Sequence, residues 1–247
     1  MFRRTAHITR FLLAAFFAAG ALPGMQLSAA TIDVDPKVLT LADAIERAAP
    51  GDTLHLLEGE HAGPVTINKP LTLRGSGSGS LVKGNGAGHV VEVTAADVVI
   101  DGIGVTGSGL LLSSQDSGIF LSNTAANTKV LNSFLHDNLI GIYVWGAADA
   151  VVRNNEIVGR RDLRMNERGN GVQIWNAPGA RIEDNSVRYG RDGIFVTTSK
   201  KNVFSNNILQ DLRFGVHYMY TNSSRVEGNV SRRNHLGFAI MFSKKIE

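Results

Sequence analysis

The chain has 247 residues, enough for one elongated domain with a continuous core. It contains no cysteine, so packing rather than disulfides must hold the fold, and any metal must be bound by His, Met, Asp, Glu or amide groups. The first 30 residues hold three of the 25 basic residues and none of the 22 acidic ones, so the remainder carries 22 of each. This balance gives no support for nucleic-acid binding.

Residues 1–30 have the pattern of an export signal peptide. Arg3, Arg4 and Arg10 form a basic start, and the apolar run over 11–22 is too short to span a bilayer. Small residues at 28–30 offer a cleavage site. The sequence therefore predicts an exported protein whose folded domain covers residues 31–247.

Residues 31–60 predict an N-terminal strand followed by a short capping helix. Residues 31–34 alternate like a strand, and residues 39–49 carry apolar side chains at helical spacing after a capped start at Thr40 and Asp43. Such a helix would cover the open first coil of a repeated β structure. Coils are expected over 61–247, with the stretch 75–88, rich in Gly and Ser, as a loop between strands.

One short unit recurs from residue 118 onward. Each copy is a glycine followed by a short apolar strand, and the copies begin at Gly118, Gly141, Gly171, Gly193, Gly215 and Gly237. The steps are 23, 30, 22, 22 and 22 residues. A period near 22 residues with a glycine opening each strand predicts an all-β parallel solenoid, in which each coil rests on the one before it.

A second marker runs in phase with the first. An asparagine stands three residues after an apolar residue in successive coils, at Asn155, Asn185, Asn207 and Asn229, with Ser133 in the same place one coil earlier. Stacked coils would align these amides in a hydrogen-bonded ladder at a tight turn. Asn202 is out of this phase, and we expect it to tolerate replacement by leucine better than Asn207.

The side chains that alternate outward from the repeated strand form two columns. One reads Phe120, Tyr143, Gln173, Phe195, His217, Ala239, and the other reads Ser122, Trp145, Trp175, Thr197, Met219, Met241. The columns are aromatic and are predicted to contain no carboxylate, which argues against sugar cleavage by a carboxylate pair. A non-catalytic binding protein fits better, with Trp145 and Trp175 as a partner-binding surface. A carbohydrate-binding or carbohydrate-cleaving β-helix that stacks sugars on the two tryptophans remains the alternative.

The unit before Gly171 holds about eight extra residues, which include Arg160, Arg161 and Arg164. Insertions in solenoids become surface loops, often on the working side. These arginines could dock an acidic partner, or the insertion could be a solvated loop. Both interpretations stay open.

Four side chains make a candidate copper site. Met219 and Met241 lie one coil apart on the outer column, His217 shares that face, and His235 lies in the turn before the strand of Met241. Thioethers with imidazoles form a soft, cysteine-free site that suits Cu(I). The competing interpretation is a methionine-rich partner-binding patch.

Four longer runs, over 169–179, 188–196, 212–222 and 234–243, resemble the NosD family. The resemblance implies a right-handed parallel β-helix in the periplasm of a denitrifying bacterium. It also implies a copper-processing assembly factor, not an enzyme, that helps to build the copper–sulfur centre of nitrous oxide reductase. The implied partners are an ABC-type ATPase with its membrane subunit, and the reductase or a copper chaperone. Members of the family continue for further coils, whereas this chain stops in mid-coil at 244–247, so its C-terminal end is expected to be incomplete.

Overall fold

The repeated unit folds as three short strands separated by tight turns. The computed structural model describes residues 29–247, so residues 1–28 of the predicted signal lie outside the described part. The coils stack into a parallel β-solenoid of about ten turns with about 22 residues per turn, which confirms the predicted fold class. Among residues 29–247, no helix is long and apolar enough to cross a membrane.

The strands in chain order are β1 (Thr31–Val34), β2 (Thr53–Leu56), β3 (Gly59–Ala62), β4 (Val65–Ile67), β5 (Thr72–Lys83), β6 (Val91–Val93), β7 (Val99–Thr106), β8 (Ser117–Leu121), β9 (Lys129–Leu131), β10 (Phe134–His136), β11 (Ile140–Trp145), β12 (Val151–Arg153), β13 (Glu156–Val158), β14 (Val172–Trp175), β15 (Arg181–Glu183), β16 (Ser186–Arg188), β17 (Asp192–Thr197), β18 (Val203–Ser205), β19 (Ile208–Gln210), β20 (Phe214–Met219), β21 (Arg225–Glu227), β22 (Val230–Arg232) and β23 (Leu236–Met241). Helix α1 covers Leu41–Arg47, and a short 3₁₀ turn covers Met165–Glu167.

The strands form three faces. Face 1 contains the repeated glycine strands, in the order β4, β6, β8, β11, β14, β17, β20 and β23. Face 2 contains β9, β12, β15, β18 and β21, and face 3 contains β10, β13, β16, β19 and β22; the longer β7 pairs with the first strand of both. Every pairing is parallel and joins consecutive coils, so a residue in one coil has its counterpart directly above it in the next.

The core is a set of apolar rows that run along the axis. The inward side chains of face 1 form two fully buried rows: Ile119, Ile142, Val172, Ile194 and Val216, and Leu121, Val144, Ile174, Val196 and Tyr218. On the last strand, the corresponding Phe238 and Ile240 are about half exposed. The incomplete C-terminal end stays a prediction.

The glycines that open the face 1 strands are required by close packing between coils. A Cβ on Gly193 would lie 2.6 Å from the carbonyl oxygen of Gly215, and one on Gly215 would lie 2.6 Å from that of Gly237. Neither glycine has a positive φ. The constraint is therefore the space between stacked backbones rather than a special backbone conformation.

The asparagine ladder lies at the turn between faces 2 and 3. Asn207 Oδ1 accepts from the backbone N of Asn185 at 3.0 Å and from its Nδ2 at 2.9 Å. The same two bonds link Asn155 to Asn185 and Asn207 to Asn229. Asn155 Oδ1 continues the series by accepting from the backbone N of Ser133 at 3.0 Å.

Asn202 also has a buried structural role, which the sequence did not predict. It lies in the turn before β18, is 1% exposed, and donates from Nδ2 to the carbonyl of Ala177 at 2.8 Å. Asn202 is therefore an unsuitable neutral control for the ladder, because its replacement would also remove a buried side-chain hydrogen bond.

The N-terminal helix is capped as the sequence indicates. Thr40 Oγ1 accepts from the backbone N of Asp43 at 3.1 Å, and Leu41, Ala44 and Ile45 are buried on the core side. The expectation of a loop over 75–88 was wrong in its first part, because β5 continues to Lys83. Register shifts in its pairing with β7 absorb the irregular stretch, and Gly75 packs so closely that a Cβ would lie 2.7 Å from the Gly102 carbonyl oxygen.

Candidate functional site

The inserted loop folds back on the outer surface of face 1. It connects β13 on face 3 with β14 on face 1, and its Leu163 packs against a small apolar cluster of Leu139, Ile140 and Tyr143. As a result Tyr143 points outward from its strand yet is only 5% exposed. Burial raises the pKa of the Tyr143 hydroxyl, with a smaller opposing effect from its hydrogen bond with Gln173.

Two of the three predicted docking arginines have partners within the chain. Arg160 makes a two-point ion pair with Asp162, at 2.8 Å from Nε and 2.6 Å from Nη2, and this hydrogen bonding lowers the pKa of Asp162 to about 2. The Arg161 guanidinium lies 4.6 Å from the ring centroid of Tyr189. Arg164 is exposed. The structure thus leaves Arg164 as the predicted docking residue whose side chain is most open to a partner.

A buried charged cluster lies on face 1 near the last coils. Asp192, the first residue of β17, accepts from Arg213 Nε at 2.8 Å and Nη2 at 2.6 Å. The same carboxylate is 2.9 Å from His217 Nδ1. The side chain of Asp192 is 2% exposed and that of His217 is 11% exposed, so this ion pair and its histidine are largely removed from solvent.

The hydrogen bond to Asp192 and two flanking aromatic rings fix the orientation of the His217 ring. Because a carboxylate can only accept, His217 Nδ1 is the donor in this bond, and in the neutral imidazole Nε2 is then the acceptor nitrogen. Nε2 is buried and has no hydrogen-bond partner among residues 29–247. Phe195 and Phe214 pack against the ring at centroid distances of 4.9 and 5.1 Å, which holds it in place.

The four predicted copper ligands are brought together only in part. His217 and Met219 line one cavity of about 250 Å³, together with Asn170, Arg191, Asp192, Phe195 and Arg213. Met241 is the direct register partner of Met219 on β23 and is partly exposed. His235 is exposed in the turn before β23 and does not line this cavity.

The residues present fit a soft metal ion, although no cluster of three or more His, Cys, Asp or Glu that could hold a metal occurs within residues 29–247. A metal-binding histidine usually donates its second ring N–H to a carboxylate, as His217 does to Asp192. Thioethers such as those of Met219 and Met241 favour Cu(I) over harder ions. The donor set is thus imidazole and thioether, with Asp192 as an orienting partner.

The tryptophans lie where the sequence places them, and each ring covers one face of the other. Trp145 and Trp175 are register partners whose rings stack at a centroid distance of 5.6 Å and an angle of 11°. Phe120 lies 6.3 Å from Trp145 on the other side. Much of each ring face is therefore covered by its neighbour, and Trp175 is the more exposed of the two.

The prediction that face 1 carries no carboxylate was wrong. Glu92 on β6 is the register partner of Phe120, and Asp192 begins β17. The sequence reasoning started each strand at its glycine and so placed Asp192 in a turn; the acidic residue directly before Gly193 was the available signal. Four strand steps separate the two acids, or about 19 Å at the usual spacing. Glycosidase pairs are about 5 to 9.5 Å apart, so these two cannot act together on one bond.

Comparison with known proteins finds one matching family and similar proteins from two bacteria. The family described as "Periplasmic copper-binding protein (NosD)" matches residues 153–247. A "Probable ABC transporter binding protein NosD" from Stutzerimonas stutzeri is 33% identical over 135 residues, which is 55% of this chain and 31% of the relative. A protein of the same name from Pseudomonas aeruginosa is 31% identical over 166 residues, 63% of this chain and 39% of the relative. Residues 153–247 of this chain are thus similar to the NosD family.

The matched part spans about a third of the length of these NosD relatives. The family match covers residues 153–247, which include β14 to β23 and the residues that line the cavity beside His217. The resemblance to NosD proteins noted in the sequence is confirmed by these matches.

Solved structures with the same fold belong to other families. An alginate lyase from Paenibacillus sp. str. FPU-7 has a TM-score of 0.57 at 16% identity, over 84% of this chain and all but 1% of the lyase chain (99% covered). Pectate lyase Pel9A has a TM-score of 0.59 at 13% identity, over 82% of this chain and 72% of that chain. At these identities the likeness supports the parallel β-helix and nothing further.

Proposed function

We propose that the chain is a periplasmic copper-binding protein of the NosD type, and that His217 and Met219 hold Cu(I) on face 1. The observation that carries the proposal is the buried, unpartnered Nε2 of His217 beside Met219, with Nδ1 bonded to Asp192. Met241, directly across from Met219, is the further thioether ligand. The description of the matching family supports both the metal and the compartment. Export by residues 1–30 belongs to the same proposal.

In this site each residue has a separate task. His217 supplies a nitrogen donor whose orientation is held by Asp192, while Arg213 balances the charge of that carboxylate. The thioethers select a soft, reduced ion, and bound copper would be cargo for transfer rather than a redox catalyst. His217 and Met219 line a cavity on the outer side of face 1, so a partner can approach the site without unfolding the coils.

Competition for Cu(I) against a chromophoric chelator tests the site. We expect His217→Gln and the double change Met219→Leu/Met241→Leu each to weaken binding by about tenfold or more, since loss of one ligand or its support typically has that effect. Met165→Leu and His55→Gln are matched controls, because Met165 lies in the inserted loop and His55 on β2 is partly exposed beside Asp33. Affinity that is unchanged in both test variants, or equally reduced in the controls, would place the metal elsewhere.

Within this proposal, the chain helps to assemble the copper–sulfur centre of nitrous oxide reductase together with a membrane ABC-type complex. The names of the relatives, which mention an ABC transporter, and the family resemblance support this part of the proposal. Arg164 is our candidate contact for an acidic partner surface. Arg164→Glu in a strain that depends on this protein should reduce the copper content of the reductase, and Arg225→Glu, on face 2, is the control. Equal copper content in both strains would remove the loop from the docking surface.

The carbohydrate alternative rests on Trp175 and on the fold alone. The stacking of Trp145 on Trp175 reduces the open aromatic surface that sugar binding needs, and the two face 1 acids are too far apart for a hydrolytic pair. Titration with neutral and acidic oligosaccharides tests this alternative, and saturable binding at micromolar concentrations would support it.

A further inference from the structure

A second cavity adjoins the His217 cavity on face 1. It has a volume of about 210 Å³ and is lined by Leu112, Gln115, Ile140, Arg168, Gly169, Asn170, Gln173, Arg191 and Phe195. Asn170, Arg191 and Phe195 line both cavities, so the two form one groove. The groove passes from the loop before β8 to β20 and so crosses five coils. At the usual strand spacing this is about 19 Å, the length of about six extended residues.

Arg191 stands at the middle of this groove without a partner. Its Nε is buried and has no hydrogen-bond partner among residues 29–247. None of the ion pairs in this part of the chain includes Arg191. A buried, unpaired guanidinium nitrogen is costly, so this position favours binding of an anionic group.

The other two arginines of the groove are already bound to the protein. Arg168 donates to the carbonyls of Leu163, Tyr189 and Arg161, and Arg213 is paired with Asp192. With three arginines and one aspartate, the groove carries an excess of two positive charges. The charge therefore favours an anionic ligand, and the geometry directs its anionic group to Arg191.

The remaining lining favours a peptide over a sugar. Leu112, Ile140 and Phe195 give the groove apolar walls. Asn170 is already bonded to Gln173 at 2.8 Å and to the backbone N of Asp192 at 3.3 Å, so few polar groups remain for the many hydroxyls of a sugar. Alternating apolar and acidic side chains match these walls and the single unpaired arginine.

We propose that this groove is a docking site for an extended acidic peptide segment of a partner protein, with one of its carboxylates bound by Arg191. The inference does not require that His217 binds copper. It assigns to face 1 a protein-recognition function that lies beside the proposed metal site and shares Arg191 and Phe195 with it.

Fluorescence polarisation with a labelled eight-residue peptide of alternating Leu and Glu tests the docking site in the metal-free protein. We expect saturable binding that weakens about tenfold or more when Gln replaces Glu in the peptide, a comparison that needs no protein variant. Arg191→Gln should weaken binding of the Glu peptide to a similar extent. Arg188→Gln is the control, because Arg188 is paired with Glu156 on face 3. Binding should also weaken as salt is raised.

Three results would overturn the docking site. One is equal affinity for the Glu and Gln peptides, and another is equal loss in Arg191→Gln and Arg188→Gln. The third is tighter binding of tetragalacturonate than of the peptide, which would show that the groove takes acidic sugars. The peptide assay is independent of the copper competition assay, so failure of either proposal leaves the other intact.

Discussion

Replacement of Asn207 by leucine is the sharpest test of the ladder. Asn207 is fully buried and makes four side-chain hydrogen bonds within one turn of the solenoid. Its Oδ1 accepts two from Asn185, and its Nδ2 donates to the carbonyl of Ile182 and to Asn229 Oδ1, both at 2.8 Å. Leucine has a similar size but can make none of these bonds.

The expected loss in the free energy of unfolding follows from the buried hydrogen-bonding groups that lose their partners in Asn207→Leu. Without the amide, the backbone N–H of Asn185 and one hydrogen of its Nδ2 stay buried and unpaired, whereas the carbonyl of Ile182 keeps its ladder bond to β18. At the lower range of the cost of an unsatisfied buried group, the two groups destabilise the fold by about 2 to 4 kcal/mol. Burial of the leucine side chain recovers about 1.5 kcal/mol. We therefore expect a net loss of about 0.5 to 2.5 kcal/mol, compared with the roughly 5 to 15 kcal/mol of a typical domain.

Urea unfolding followed by circular dichroism measures this loss from the shift in midpoint and the slope. Asn123→Leu is the matched control, because Asn123 lies exposed in the turn between faces 1 and 2. We expect the control to change the free energy of unfolding by less than about 0.5 kcal/mol. Midpoints that agree between the two variants would refute the ladder as a source of stability.

Three further predictions use the same structure. Gly193→Ala should lower the unfolding free energy by about 1 to 3 kcal/mol in urea titration because its Cβ would crowd a stacked backbone, whereas Gly79→Ala, whose nearest contact would be at 3.4 Å, should not. Burial lowers the pKa of His89 below its usual 6.5, so the unfolded state binds the proton more tightly. The melting temperature should fall as pH drops below 6.5, and the fall should be smaller in His89→Phe. Arg160→Glu should speed proteolysis of the inserted loop by removing its pair with Asp162, while Arg164→Glu should not.

The repeat made most of the fold predictable. Once coils stack in parallel, a period of 22 residues places each residue beside its counterpart, so the inward rows, the outward columns and the alignment of the asparagines follow from counting. The pairs Trp145 with Trp175 and Met219 with Met241 were predicted in this way. The regular part of the chain gave reliable positions because register is set by the backbone and not by side-chain detail.

The parts that break the period were not predictable by counting. Leu163 of the inserted loop covers Tyr143, and this contact depends on the path of the irregular residues between β13 and β14. Asp192 reaches Arg213 and His217 on the next coil, and the repeat does not encode these contacts. Irregular segments and side-chain networks are decided by tertiary packing, which a period does not encode.

These two departures from the repeat together explain why face 1 is the functional surface. A regular solenoid face without insertions presents aligned side chains but forms no groove, because each coil repeats the one before it. The inserted loop brings Arg168 to the edge of face 1, where it forms one side of the groove. Hydrogen bonds to Asp192 hold Arg213 and His217 at fixed positions at the base of the groove. The groove exists only where both features meet, beside Arg191. A deletion of residues 161–166 should therefore abolish peptide docking while Cu(I) affinity is retained, because none of these residues lines the cavity of His217 and Met219. Loss of both activities in that deletion would show that the two sites depend on each other.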